Sequence, residues 1–267
     1  ARTCKATDST ASVGHVDCVI LALKTHQVEG LVNQLEPLYG PKTTVVTMQN
    51  GIPFWYFQRH GGALEGTRVR AVDPNGVCFD GIPAERIIEA HDNTVLKLGT
   101  RELLCIDAPG HARHHIAIID RQSSGIFTGD TFGISYRELD VDGRPLIFPS
   151  STPIQFDPDE MRASIERMLS FNPDAVYLTH FSRLAPPAEL GRKVLRLLDR
   201  YVDIALGASS ADDKTAVIRD GLTRLLLDEA RHHGVRISDQ NILEIWHLDL
   251  ELNAQGLAYW LESQEAA

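Results

Sequence analysis

Three histidines lie within five residues near the middle of the chain, in the segment CIDAPGHARHH at residues 105–115. His111, His114 and His115 follow an apolar run and a Pro-Gly turn. Neutral imidazole is a good ligand for zinc and for iron. The spacing therefore indicates metal binding as a candidate function. A metal site would need further ligands from other parts of the chain.

Short apolar, β-prone runs surround these histidines and would have to position them. They predict strands at 85–90, 94–99, 102–108, 115–120, 125–130 and 174–180, of which the last two end at Asp130 and His180. Helix-start chemistry follows at Asp157 (N-cap), Pro158 (first turn) and Glu160. From Pro187 onward the pattern predicts helices at about 188–206, 214–233 and 240–262.

The N-terminal part shows a different pattern. Residues 16–23, VDCVILAL, read as a buried parallel strand, and residues 24–40 place five apolar side chains on one helical face, ended by Gly40-Pro41. A second strand is predicted at 43–50, which completes a βαβ unit. Ligands of such a unit would lie beyond the carboxyl ends of its strands, near Lys24 and Asn50.

Composition limits the classes of partner. The 267 residues carry a formal net charge of −10, which argues against nucleic acid and anionic membranes as partners. No apolar run approaches the roughly 18 residues of a membrane span, and the first residues lack an apolar signal core. The four cysteines are far apart, which suits a reducing cytoplasm. We therefore expect a cytoplasmic protein with a small-molecule substrate, and the sequence leaves the oligomeric state open.

From about residue 84 to residue 267 the sequence resembles the metallo-β-lactamase-fold hydrolases. The matching pieces are DAPGHARHH, GIFTGDTF and VYLTHF, in the order of that family. DLELNAQGL, near the end, is similar to the C-terminal region of one bacterial subgroup. The resemblance implies an α/β chain with a partial αββα-type fold and a helical C-terminal part at about 187–267.

The same resemblance implies a site for one or two metal ions, zinc or iron. By position, His111 would bind the first metal, Asp130 would bridge, and His180 would bind the second. A bridging carboxylate holds two metals about 3.5–4 Å apart, and a metal lowers the pKa of bound water to about 7. Asp107, four residues before His111, is a candidate to orient that ligand. His115 resembles the second histidine of the family's turn, which lies next to the ligands and is usually not one of them.

The main signature of that family, HxHxDH, is absent, because no HxH occurs anywhere in the chain. Each metal would keep one histidine and the shared Asp130. A four-ligand structural zinc site has a binding free energy of roughly 10–16 kcal/mol. If each ligand contributes equally, two ligands supply about 5–8 kcal/mol, which is weak binding. We therefore expect an impaired or inactive hydrolase, and the sequence assigns no catalytic residue.

Residues 1 to about 77 resemble the cofactor domain of ketopantoate reductases. VDCVILALKTHQV, VVTMQNGIP, WYFQRHGG and VDPNG match that family in order. The resemblance implies NADP as cofactor, with Lys24 and Asn50 beside it. The glycine-rich phosphate loop of the family is expected before residue 1, and its substrate domain after residue 77.

Three functions remain open at this stage. The chain is a metal-dependent hydrolase derivative, an NADP-binding ketopantoate reductase fragment, or a non-catalytic chimera of the two. The turn-rich segment 73–83 is the predicted junction between residues 1–77 and 84–267. If the first segment occupies the place of the lost motif in the hydrolase sheet, His26 is a candidate substitute ligand.

Overall fold

A computed structural model describes residues 6–21, 23, 25–47, 53–59, 61–88, 90–151, 154–180 and 182–265. The chain divides into two compact units, Ala1–Ala90 and His91–Ala267. Each unit has its own cluster of buried apolar side chains. In the ranges that are described, no helix combines the length and apolarity needed to cross a membrane.

The first unit contains a parallel pair of strands, β1 (Val16–Leu21) and β2 (Tyr39–Thr47). The connection between them is α1 (Thr25–Val28) followed by 3-10 turns at Glu29–Gln34 and Glu36–Leu38. The βαβ order predicted from the sequence is confirmed, but one continuous helix over 24–40 is wrong. Gly30 and Pro37 lie within that stretch, and both residues disfavour a helix interior.

Two other expectations for this unit were also wrong. β1 is not buried on both faces, because Val19 and Leu21 enter the core while Ile20 is 60% exposed. No strand forms over the described part of 85–90, where a 3-10 turn (Ala84–Arg86) follows α2 (Val77–Gly81). There Arg86 donates to the carbonyl oxygens of Gly40 and Thr43, at 2.9 and 3.1 Å, and so binds the start of β2 by its side chain.

The second unit is built on a six-stranded mixed sheet. Its strands are β3 (Val95–Leu98), β4 (Arg101–Asp107), β5 (Ile116–Asp120), β6 (Gly125–Gly129), β9 (Ala175–Leu178) and β10 (Ser182–Leu184). Their order is β10-β9-β6-β5-β4-β3, with β6 and β9 parallel and the other pairs antiparallel. The two strands predicted to end at Asp130 and His180 are therefore neighbours that run in the same direction.

A short hairpin and four helices complete this unit. The elements are β7 (Ile134–Ser135), β8 (Ile147–Phe148), α3 (Pro158–Ser170), α4 (Pro187–Gly207), α5 (Lys214–His233) and α6 (Asp239–Glu265). Helices and strands share one apolar core, so the predicted α/β class with C-terminal helices is confirmed. The three C-terminal helices lie within a few residues of their predicted bounds.

Helix α3 begins where the sequence predicts. The Asp157 carboxylate accepts hydrogen bonds from the backbone N–H groups of Asp159 and Glu160, at 3.0 and 2.9 Å. The Asp157 N–H donates to the carbonyl oxygen of Gly110 at 2.8 Å. A Cβ on Gly110 would lie 2.1 Å from the backbone nitrogen of Met161. The loop that carries the histidines is therefore held directly against the first turn of α3.

Candidate metal centre

Asp130 follows β6 and lies among three histidine side chains. Its Oδ2 is 3.8 Å from Nε2 of His111 and 4.0 Å from Nε2 of His115. Its Oδ1 is 3.6 Å from Nε2 of His180. The structure thus brings together four residues that are up to 69 positions apart in sequence, at the ends of β4, β6 and β9.

His111 lies in the loop between β4 and β5 and is oriented by a backbone group. Its Nδ1–H donates to the carbonyl oxygen of Ser150 at 2.9 Å, which leaves Nε2 as the ring nitrogen that faces Asp130. Burial holds the pKa of His111 below its usual value, so the ring is neutral near pH 7. The side chain predicted to orient it, Asp107, is exposed, and its role as an orienter stays a prediction.

Ser150 is itself held in place by helix α6. The Ser151 N–H donates to Oδ1 of Asn253 at 2.7 Å, and the Asn253 side-chain amide donates to the carbonyl oxygen of Pro149 at 3.4 Å. Asn253 is fully buried. Sequence reasoning did not identify this link, because it joins residues about a hundred positions apart. Its only signal was the family resemblance of DLELNAQGL, which contains Asn253.

His115 lies beside His111 because the loop folds back on itself. The Ala108 N–H donates to the carbonyl oxygen of His115 at 2.9 Å, and the His115 N–H donates to that of Ala112 at 3.2 Å. The ring centroids of His111 and His115 are 4.8 Å apart. Burial, together with the neighbouring His111, lowers the pKa of His115 to about 4.

The remaining histidines of the motif differ in exposure. His180, in the turn after β9, has a side chain that is 56% exposed, compared with 10% for His111 and 17% for His115. His114 is exposed, and its ring is tilted by 58° against that of His115 with centroids 5.4 Å apart. His180 therefore borders the solvent side of the cluster.

A hydrogen-bonded pair lies on the His180 side. The Tyr136 hydroxyl donates to Oδ2 of Asp249 at 2.5 Å. Burial raises the pKa of Asp249, and the hydrogen bond from Tyr136 acts in the opposite direction. This pair was not foreseen from the sequence, since Tyr136 and Asp249 are 113 residues apart.

The cluster has the chemistry of a cation site. One potential ligand atom from each of His111, His115 and Asp130 lies within 4.8 Å of the others. Oδ1 of Asp130 is buried and finds no hydrogen-bond donor among the described residues. A buried carboxylate oxygen without a donor is costly unless a positive charge compensates it. Two imidazoles and one carboxylate are a donor set suited to zinc or iron.

The candidate residues of the first unit are only partly described. His26 lies in α1 and is exposed, and its role as a substitute ligand stays a prediction. Lys24 and Asn50, the candidates for the NADP site, lie outside the described residues.

Comparison with known proteins identifies two different relatives. The family model described as "Ketopantoate reductase PanE/ApbA" matches residues 1–53. A 2-dehydropantoate 2-reductase of Mesorhizobium japonicum is 42% identical over 110 residues, which are 41% of this chain and 31% of that protein. A metallo-beta-lactamase fold-containing protein of Sulfurisphaera tokodaii is 26% identical over 102 residues, 38% of this chain and 35% of that protein.

Among solved structures, a metallo-beta-lactamase family protein from Thermus thermophilus has a TM-score of 0.48 and 13% identity, with 94% of this chain and 84% of that chain covered. The chain spans about a third of the length of the two curated relatives. The resemblances to ketopantoate reductases and to metallo-β-lactamase-fold proteins are both confirmed.

Proposed function

We propose that the second unit binds one transition-metal ion at the Asp130 carboxylate and is a metal-dependent hydrolase derivative. The observation that carries the proposal is the convergence on Asp130. Imidazole Nε2 atoms from two separate segments lie 3.6–4.0 Å from its oxygens. The family resemblance implies His111 as a ligand of a first metal and His180 as a ligand of a second, with Asp130 shared between them, and the two histidines face opposite oxygens of that carboxylate.

The residues around the proposed ion have different roles. Ser150 keeps His111 in the tautomer whose Nε2 can bind, and burial keeps that imidazole neutral. Asp130 supplies negative charge, and the exposed side chain of His180 marks the side open to a small-molecule substrate. A zinc ion held there would act as a Lewis acid and lower the pKa of a bound water.

Turnover is expected to be weak or absent. The chain lacks HxHxDH and therefore the carboxylate that usually moves the proton in this family. A positioned general acid or base contributes about 10²–10⁴-fold to a rate. Metal binding and hydrolysis are therefore separate questions for this protein, and each needs its own experiment.

Metal analysis tests the binding. We expect the full chain, purified without chelator from zinc-supplemented cells, to hold close to one zinc ion. Asp130→Asn should abolish this, whereas Asp142→Asn, in an exposed turn, should not. Less than about 0.2 zinc per chain, with no thermal shift on adding zinc, would contradict the proposal.

Hydrolysis is tested on the same preparations with chromogenic esters, lactones and phosphodiesters. Zinc-dependent turnover that Asp130→Asn removes would support a residual hydrolase. Full zinc binding without turnover on any of them would show a metal-binding chimera that is not catalytic.

A second candidate, NADP binding by the first unit, is favoured by the 42% identity to a 2-dehydropantoate 2-reductase. The residues present do not fit a complete cofactor site, because the 267 residues contain no Gly-x-Gly turn to hold the pyrophosphate. A fluorescence titration with NADPH tests this candidate. A saturable signal below millimolar cofactor would support it, and its absence would remove it.

A reducing compartment fits the cysteines. Cys18, Cys78 and Cys105 are all free thiols. We therefore keep a cytoplasmic location as part of the proposal.

A further inference from the structure

We propose that His115 is a direct ligand of the metal ion at Asp130, so that the ion is held by His111, His115 and Asp130 with His180 on its open side. The inference rests on the proposed metal binding. It changes the ligand set, because the family resemblance places His115 outside it.

His111 and His115 share one oxygen of the Asp130 carboxylate. His111 and His115 both point Nε2 at Oδ2 of Asp130, at 3.8 and 4.0 Å, whereas His180 faces Oδ1. Ligand atoms of a tetrahedral zinc ion lie about 3.3 Å apart when the bonds are 2.0–2.1 Å long. The two separations from Oδ2 exceed that value by less than 1 Å, and all three ligand atoms lie within 4.8 Å of one another, so side-chain rotations would complete the set.

A glycine next to Asp130 leaves space for the ring of His115. Gly129, the last residue of β6, has a φ of +58°, and a Cβ there would lie 2.9 Å from Nδ1 of His115. Because residue 129 has no side chain, the His115 ring can pack against the end of β6, directly before Asp130. Two backbone hydrogen bonds, between Ala108, Ala112 and His115, hold the other side of the loop.

The side chains of His111 and His115 are preorganised for binding. The side chains of His111 and His115 are 10% and 17% exposed, so their rotamers are already restricted by packing. The His180 side chain, at 56% exposed, has more freedom to lose on binding. Fixing a buried side chain that is already in place costs less entropy, which favours His115 over His180 as a strong ligand.

The test compares neighbouring histidines. Zinc affinity of the full chain is measured by competition with a chromogenic chelator for wild type, His115→Ala, His111→Ala and His114→Ala. His114 is the matched control, since it is adjacent and exposed and lies outside the ligand group. We expect His115→Ala and His111→Ala each to weaken zinc binding about 100- to 1,000-fold, an even share of a four-ligand site. His114→Ala should change it less than about threefold.

A spectroscopic readout separates a ligand from a structural residue. With Co²⁺ in place of zinc, loss of a nitrogen ligand should change the visible d–d bands of His115→Ala and leave those of His114→Ala unchanged. If His115→Ala does not fold by circular dichroism, His115→Phe preserves the ring volume and removes the ligand atom.

The outcomes are distinct. If wild type binds zinc and His115→Ala binds it equally well with an unchanged Co²⁺ spectrum, His115 is not a ligand and the metal site itself stands. If wild type binds neither ion, the proposed function fails and this inference fails with it.

Discussion

The amide of Asn253, in helix α6, fixes the backbone of Ser151, next to the carbonyl group that orients a metal-ligand candidate. The Ser151 N–H donates to Asn253 Oδ1 at 2.7 Å, and the Ser150 carbonyl oxygen accepts from Nδ1–H of His111 at 2.9 Å. The last helix of the chain is thereby connected to the candidate metal centre through two hydrogen bonds and one peptide unit.

Replacing Asn253 should therefore affect metal binding as well as stability. We expect Asn253→Ala to weaken zinc binding about 10- to 100-fold, the usual effect of losing a group that supports a ligand. The unfolding free energy should fall by about 1–3 kcal/mol, because buried partners lose their hydrogen bonds. Chelator competition and urea unfolding measure the two effects.

Gln255→Ala is the control for Asn253, because among the described residues the Gln255 side chain donates to Glu251, one helical turn away, at 2.7 Å. NMR correlations of the His111 ring nitrogens would report its tautomer. An unchanged tautomer and affinity in Asn253→Ala would show that Ser150 is positioned without the helix.

Gly129→Ala should push His115 away from Asp130. Gly129 and Gly143 both have positive φ, +58° and +74°, so alanine at either position costs roughly 1 kcal/mol of backbone strain. Only at Gly129 would the new Cβ contact His115, since nothing lies within 4 Å of a Cβ at Gly143. Gly129→Ala should therefore lose zinc affinity about tenfold or more, and Gly143→Ala should not. Equal affinities in the two variants would contradict this account.

The ion pair of Arg101 and Asp120 should contribute measurably to stability. Asp120 is 1% exposed, and its carboxylate also accepts from the Ser123 hydroxyl at 2.5 Å. We expect Asp120→Asn to lower the unfolding free energy in urea by about 1–3 kcal/mol, because it weakens a buried charge-assisted network.

The exposed pair of Lys97 and Glu102, 3.6 Å apart in the neighbouring hairpin, is the control for Asp120. Glu102→Gln should change stability by less than about 0.5 kcal/mol. If Glu102→Gln lowered the unfolding free energy as much as Asp120→Asn does, burial of the ion pair would not be the deciding factor.

The link between helices α4 and α5 should depend on pH. Arg196 donates to both oxygens of Glu229 at 2.8 Å, and this holds the Glu229 pKa below its usual value of 4.5. The folded pKa is lower than the unfolded one, so the stabilisation is present above about pH 4.5 and is lost as the pH falls through the folded pKa.

Urea unfolding of wild type and Glu229→Gln between pH 7 and pH 3 measures this effect. The wild type should be more stable by up to about 1 kcal/mol at pH 7, with the difference shrinking towards pH 3. Glu244→Gln, which removes an exposed charge on α6, should show no such trend. A difference that grows as the pH falls would have the wrong sign.

Local signals in the sequence predicted much of the second unit. The start of α3 was set by Asp157 and Pro158, whose effects act within one helical turn. The long helices α4, α5 and α6 were predicted because their apolar periodicity is sustained over about 20 residues or more. Such features depend on neighbours in sequence and need no knowledge of the fold.

The continuous helix predicted over 24–40 gave too little weight to Gly30 and Pro37, which are local signals. Other errors lie where tertiary contacts overrule local preference. Residues 85–90 have the composition of a strand, but Arg86 bonds to carbonyl groups of β2 and the segment turns instead. The sequence could group His111, Asp130 and His180 by family order. The sequence could not predict that the His115 ring packs against Gly129, or that Asn253 bonds to the backbone next to Ser150. Those contacts depend on the packing of segments that are distant in sequence.

The close approach of Gly110 to α3 has a consequence for motion. A Cβ on residue 110 would lie 2.1 Å from the Met161 nitrogen, so the histidine loop packs directly against the first turn of the helix. We expect fraying of that turn to move His111 away from Asp130, because the Asp157 N–H donates to the carbonyl oxygen of Gly110. Amide hydrogen exchange at the start of α3 should therefore slow when zinc binds, so that the rate at which the site releases its ion is governed by the opening of a helix end.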